Sequence, residues 1–241
     1  MLRIDKYLAD CGIGTRSEVT KYIKAKQITV NEQVISKPDV KVDENIDRIC
    51  FMGKEILYEK YVYYLLHKPA GCVTAKQDNV HKTVMKYFPE EILAKDIAPV
   101  GRLDLDTEGL LLFTNDGPLT HHLLSPTHHI PKTYYAILDK EVPKSAVLQF
   151  EEGIDIGDEK NTLPAELNIL PEEIDCDGNT IYSAELTIHE GRFHQVKRMF
   201  EAVGCTVTYL KRLSMGSLTL GDLPKGEYRK LTEDEIIELQ K

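Results

Sequence analysis

The residues best equipped for chemistry lie in one run, Gly101-Arg102-Leu103-Asp104-Leu105-Asp106-Thr107-Glu108-Gly109, which leads into the apolar stretch 110–114 and the turn Asn115-Asp116-Gly117. A polar loop bounded by glycines, carrying one arginine and two aspartates, thus enters an apolar strand directly. Two accounts fit it. Reactive carboxylates are often held on loops at the edge of a rigid sheet, where an ionised aspartate can serve as nucleophile or base. In the other, aspartates in a turn accept hydrogen bonds from neighbouring N–H groups and only shape the chain. A second dense run, Glu190-Gly191-Arg192-Phe193-His194-Gln195-Val196-Lys197-Arg198, is basic and opens an amphipathic helical pattern. The third cluster, His121-His122 and His128-His129, gathers four imidazoles within nine residues. No cysteine or carboxylate stands beside it at helical ligand spacing, and adjacent histidines point apart, so no metal is expected there. The five cysteines, Cys11, Cys50, Cys72, Cys176 and Cys205, form no CxxC pair and read as small apolar residues of a reducing compartment.

The elements that must position these groups fall into two textures. In the first, Ile4, Tyr7 and Leu8 share one helical face, and Val19, Tyr22 and Ile23 share another behind the capping-box pair Thr15 and Glu18. Strands are expected over 28–30 and 34–35 around a polar turn, and a further strand pair over 40–49. Residues 1–56 form one small unit, and the polar stretch 57–61 reads as a linker. In the second texture, 62–241, short strands are expected at 62–66, 110–114, 134–138, 181–188, 207–209 and 218–220. Helices are expected at 80–88, 118–124, 144–153, 194–203 and 232–240. Strand and helix do not alternate regularly, so an α+β domain with a mostly antiparallel mixed sheet flanked by helices is expected, not a doubly wound one.

With 42% apolar and 29% charged residues in a chain of 241, the sequence has enough apolar material for a packed core, which excludes a disordered or fibrous protein. The longest uncharged apolar stretch, 61–66, is far short of the ~20 residues of a membrane span. The N-terminus lacks a signal-peptide core, so a cytoplasmic location without membrane contact is expected. Net charge is −9, which argues against a general coat for nucleic acid. The balance is uneven. Residues 1–30 hold Arg3, Lys6, Arg16, Lys21, Lys24 and Lys26 against three acids, a local +3 on an otherwise acidic chain, which suits a protein that grips RNA at chosen places. The plainer account of the second helix is a solvated amphipathic surface.

The run RIDKYLADCGIGTRSEVTKYIKAKQITVNEQVI resembles the S4-like RNA-binding domain over residues 3–48. That resemblance implies docking of the basic helix and adjoining loop, with Arg3, Arg16 and Lys24, on folded RNA. GRLDLDTEGLLLFTNDG closely resembles the catalytic motif of the pseudouridine synthases that act on ribosomal RNA. HKPAG (67–71), KTYYA (132–136), EGRFHQVKRMFEAVG (190–204) and LPKGEYRKLTEDEI (223–236) agree with that family in identity and order. The likeness is greatest to the RsuA-type branch, which modifies bacterial small-subunit (16S) rRNA.

The resemblance implies isomerisation of uridine to pseudouridine, with no cofactor and no metal. Asp104 is then the group that attacks C1′ or removes a ribose proton. Tyr134 stacks on the flipped uracil and helps proton transfer at C5. Lys197 pairs with Asp104, where related branches commonly carry arginine. Arg192 and Arg198 contact RNA phosphates, and Arg102 fills the gap left by the base or holds a phosphate. Asp106 and Thr107 shape the loop. The implied partner is small-subunit rRNA, partly assembled, met by a monomer. A large-subunit (23S) rRNA enzyme and a catalytically silent assembly factor stand as the alternative readings.

Overall fold

A computed structural model describes residues 1–241, which divide into two compact units, Met1–Val62 with Phe88–Ile97 and Tyr63–Tyr87 with Ala98–Lys241. The first unit holds β1 (Leu2–Arg3), α1 (Ile4–Asp10), α2 (Arg16–Lys24), β2 (Ile28–Val30), β3 (Gln33–Val34), β4 (Lys41–Val42), β5 (Ile49–Phe51), β6 (Lys54–Glu55) and the short α3 (Glu90–Leu93). The apolar faces read from the sequence meet here: Ile4, Tyr7 and Leu8 of α1 and Val19 and Ile23 of α2 are buried with Ile28, Val42 and Ile49. Thr15 and Glu18 form a complete capping box, each side chain bonded to the other's backbone N–H, which fixes where α2 starts. The strand pair expected over 40–49 does not form. Lys41–Val42 pairs with β1, whereas Ile49–Phe51 pairs with β2 and β6.

Residues 57–61 are also more firmly held than a polar, aperiodic stretch suggests. The Tyr58 hydroxyl donates to Asp10 at 3.0 Å, and its ring lies 4.9 Å from that of Tyr7. Tyr7 in turn donates to the Ile56 carbonyl at 2.8 Å. Lys95 reaches Glu59 at 2.7 Å, which ties Phe88–Ile97 into this unit and not, as expected, into the larger one.

The second unit is built on one sheet. Its elements are β7 (Tyr63–Lys68), β8 (Ala98–Pro99), β9 (Glu108–Thr114), α4 (Gly117–Leu124), β10 (Lys132–Leu138), α5 (Ser145–Glu152), β11 (Glu166–Ile169), β12 (Glu173–Ile174), β13 (Thr180–Ile188), α6 (Gln195–Ala202), β14 (Val207–Met215), β15 (Leu218–Thr219), β16 (Tyr228–Lys230) and α7 (Glu233–Leu239). The sheet runs β11-β13-β10-β14-β9-β7-β16, with β12, β15 and β8 added on β13, β14 and β9. Only β14 and β9 are parallel, so the α+β, mostly antiparallel expectation holds. Every residue of β7 and β9 is buried, which fits near-continuous apolar runs at the sheet centre. The strand β10 instead alternates, with Tyr134, Ala136 and Leu138 inward. On the helical side, Phe150 of α5 meets Phe200 of α6 edge to face at 5.7 Å.

The helix expected over 80–88 is replaced by a single 3₁₀ turn, Val84–Tyr87. Asp78 accepts from the backbone N–H groups of Val80 and His81, a local turn that competes with helix, and Pro89 ends the segment. The turn Asn115-Asp116-Gly117 caps α4: Asp116 accepts from Leu119 N–H at 3.1 Å and from the Tyr63 hydroxyl at 2.8 Å. No helix is long and apolar enough to cross a membrane.

Candidate active site

The loop 103–107 joins β9 where β9 meets β14. Gly109 sits at φ +107°, opposite Arg212, and a Cβ there would lie 2.2 Å from the Arg212 carbonyl, so glycine alone allows the two strands to close. The loop is held from below by Lys68, at the end of β7 and fully buried. Its ammonium donates to the carbonyls of Asp104 (2.9 Å), Thr107 (2.7 Å), Pro69 (3.2 Å) and Leu105 (3.5 Å). Burial pushes the Lys68 pKa down, and the carboxylates of Asp106, Asp104 and Glu108 oppose that shift. Thr74 brackets Leu103 by accepting from its N–H and donating to its carbonyl, and Gly71 N–H donates to Leu105 at 2.8 Å. With the carbonyls turned inward and fixed, the carboxylates of Asp104 and Asp106 face outward.

They face the start of α6. Asp104 is about one-third exposed, with His194 Nε2 at 3.5 Å and Lys197 Nζ at 3.6 Å. Neither of its carboxylate oxygens receives a hydrogen bond. Lys197 sits closer to Asp106, donating to both of its oxygens at 2.7 and 2.8 Å. The pairing expected between Lys197 and Asp104 is therefore shared, with the tighter half on Asp106. Burial opposes ionisation of Asp106, but the Lys197 hydrogen bonds and charge outweigh it and hold the carboxyl below its ordinary range. One ammonium and one imidazole thus face Asp104 without capping its lone pairs, an arrangement open to an incoming electrophile.

Tyr134 lies in β10, 8% exposed, with Leu186 and Arg212 as its cross-strand neighbours. Arg212 is itself buried, donates from Nε to the Leu110 carbonyl at 2.8 Å, and leaves Nη2 without a partner. Lys132, on the same strand, is pushed down to about 8 by burial and by the Arg212 charge. Glu108 is buried at the loop's end, where the Tyr209 hydroxyl and Lys225 each reach it at 2.8 Å.

The basic residues divide sharply. Arg102 is exposed and forms no ion pair. Arg192 and Arg198, expected on phosphates, are engaged within the chain. Arg192 bonds Glu190, Asp158 and the carbonyls of Lys160 and Asn161. Arg198 bonds Asp158 and the carbonyls of Ile156 and Phe193. In the first unit, Arg3 is locked in a two-point pair with Asp5, whereas Arg16 and Lys24 lie exposed on α2. The His122 and His128 rings lie 4.1 Å apart, tilted by 35°, and the His128 ring contacts the His122 carbonyl.

Residues 62–202 match the family described as RNA pseudouridylate synthase, and residues 2–45 match the S4 domain. The chain belongs to the RNA pseudouridylate synthase family. An uncharacterised RNA pseudouridine synthase of Bacillus subtilis, YtzG, is 40% identical over 98% of this chain and 97% of its own length. The ribosomal small subunit pseudouridine synthase A of Escherichia coli is 38% identical over 98% of each chain. A crystal structure of a pseudouridylate synthase, 37% identical, superposes over 99% of this chain and all of its own with a TM-score of 0.66.

In the synthase, four contributors to the site have roles that the sequence does not reveal. His194 carries no signal of its own beyond the motif around it. Asp106, expected only to shape the loop, holds Lys197. Lys68 stood in the HKPAG motif, where a charge ending an apolar run is the signal that could have marked it. The bond from Glu108 to Tyr209 spans 101 residues and left no local mark.

Proposed function

We propose that the synthase isomerises one uridine of small-subunit ribosomal RNA through Asp104, after the nucleotide leaves its stack. The observation that carries this reading is the Asp104 carboxylate: outward-facing, free of hydrogen bonds, and flanked by His194 and Lys197 on a loop fixed by Lys68. In the covalent route Asp104 attacks C1′ and the N1–C1′ electrons leave with uracil. In the alternative it takes a ribose proton to give a glycal. In both, the N1–C1′ bond breaks and the uracil turns; C5 then bonds to C1′, displacing Asp104 in the covalent route or with Asp104 returning the ribose proton in the glycal route, and C5 loses its proton as N1 takes one up, directly or through solvent. Tyr134 offers a ring face to the extruded base, offsetting part of its unstacking, and a hydroxyl for the C5 proton. Lys197 and His194 orient the Asp104 carboxylate in its free form.

The small-subunit assignment is supported by the names of relatives such as the Escherichia coli and Haemophilus influenzae synthases A. The S4 domain suits docking on folded rRNA at a distance from the reacting base, with Arg16 and Lys24 on phosphates and Arg102 at the vacated position. The reaction takes place in the cytoplasm on a partly assembled subunit. Tritium released from C5-labelled uridine in rRNA measures the chemistry. Mapping both rRNAs from a strain lacking the gene tests the substrate: one pseudouridine should vanish from the small subunit. Loss of a large-subunit site would reassign the substrate, and no tritium release would remove the reaction.

A further inference from the structure

Phe193 is 76% exposed, yet the turn that carries it is braced by a set of hydrogen bonds. Its carbonyl accepts from Arg198 Nη1 at 3.1 Å. Arg192 N–H donates to the Gln195 side chain at 2.9 Å, and Gln195 donates on to Glu190 at 3.0 Å. Arg192 extends this frame to Asn161 and Lys160, and Asp158 joins both arginines. His194 is held in the left-handed region, φ +50°, where a residue other than glycine is strained. The outcome is a parallel stack, the Phe193 ring 3.8 Å from the His194 ring and inclined by 16°. The far edge of that stack is His194 Nε2, 3.5 Å from Asp104.

A single exposed phenylalanine is ordinary in itself; what sets Phe193 apart is the hydrogen-bonded frame around its turn and the imidazole stacked on its ring. A rigid ring with one face covered by imidazole and the other open is suited to receive a further flat ring. We propose that the Phe193–His194 stack is a platform for an unpaired nucleobase next to the target uridine, holding that neighbour aside while the target occupies Asp104. The occupant is a base and not an apolar protein segment, because the platform borders the reacting carboxylate, where the substrate RNA must pass. Stacking on an aromatic face tolerates any base, so the platform sets position more than sequence. This inference rests on the RNA-directed reaction proposed above.

The test uses the full-length protein and total rRNA carrying C5-tritiated uridine. Phe193→Ala and Phe193→Leu should each lower kcat/KM roughly five- to a hundredfold, whereas Phe193→Trp keeps parent turnover. In the Asp104→Asn background, chemical probing of the bound RNA should show one base adjoining the target protected, and Phe193→Ala should expose it. A merely structural role predicts that Leu serves as well as Phe. Parent-level turnover in Phe193→Leu, or protection unchanged by Phe193→Ala, overturns the platform and leaves the reaction standing. No tritium release from the parent overturns both.

Discussion

Helix α2 and the segment 190–202 both carry clustered cations, and they use them in opposite ways. On α2, Arg16 and Lys24 point into solvent with no carboxylate attached. In 190–202, Arg192 and Arg198 converge on Asp158 and on a series of backbone carbonyls, and Lys197 is gripped by Asp106. A guanidinium already paired with a carboxylate brings little net charge to a phosphate, and releasing it leaves its partner unpaired. The first region therefore has its positive charge free for the long-range attraction of RNA proposed above. The second provides a rigid frame that fixes His194, Phe193 and Lys197 against Asp104. Basic composition alone does not distinguish an RNA footprint from an internal brace.

The largest effect tests the centre of that frame. Asp104→Asn is nearly isosteric but removes the carboxylate proposed as nucleophile or base. Turnover should fall by roughly three orders of magnitude or more, with RNA affinity nearly unchanged. Residual turnover within tenfold of the parent would remove Asp104 from its role. Asp106→Asn should hurt far less, since it weakens only the tether on Lys197.

Next in size is the contrast itself. Arg198→Ala removes the bonds to Phe193, Ile156 and Asp158 at once. Displacing a positioned group by about an ångström can cost ~100-fold in rate. We expect a tenfold or greater fall in kcat, with the salt dependence of RNA binding unchanged. Arg16→Ala and Lys24→Ala should do the reverse. Each should lower the slope of log affinity against log salt by about one unit or less, and leave kcat at saturating RNA intact. If Arg198→Ala flattens the salt slope as Lys24→Ala does, the two regions are not different and Arg198 is a phosphate ligand after all.

How far these features were legible depended on how far apart the partners lie in the chain. The capping box of Thr15 and Glu18 spans three residues and was readable. So was the strand over 134–138, and the motif around Asp104 marked the family. The Asp158 clamp spans 34 and 40 residues to its two arginines and left no local pattern. Strand β14 was expected to end at 209 but runs to Met215, because Lys211 and Arg212 broke its apolar pattern. Arg212 is a buried charge in a strand, which makes sense only once β9 and β10 are in place beside it. The partner that neutralises both Arg192 and Arg198, Asp158, is distant in sequence, so the local pattern reads as free positive charge.

The smallest effect probes a committed cation whose partner is close in sequence. Arg229 of β16 holds Glu235 of α7 through two bonds of 2.6 and 2.7 Å, six residues apart, and Thr232 adds its N–H. The Arg229 hydrogen bonds, partly opposed by burial, lower the Glu235 pKa to about 2. A carboxylate whose folded pKa lies below its unfolded one stabilises the fold above the unfolded value, near 4.5, and loses that contribution as pH falls towards 2. Both side chains are partly solvated, so the pair contributes about 1 kcal/mol or less. Glu235→Gln should lower the urea midpoint slightly at pH 7, and the gap from the parent should shrink steadily between pH 4.5 and pH 3. Activity and salt slope should not move, because this pair touches neither the RNA-facing helix nor the frame around Asp104. A gap that stays constant with pH would mean that the charge of Glu235 contributes nothing and that Thr232 capping alone holds α7.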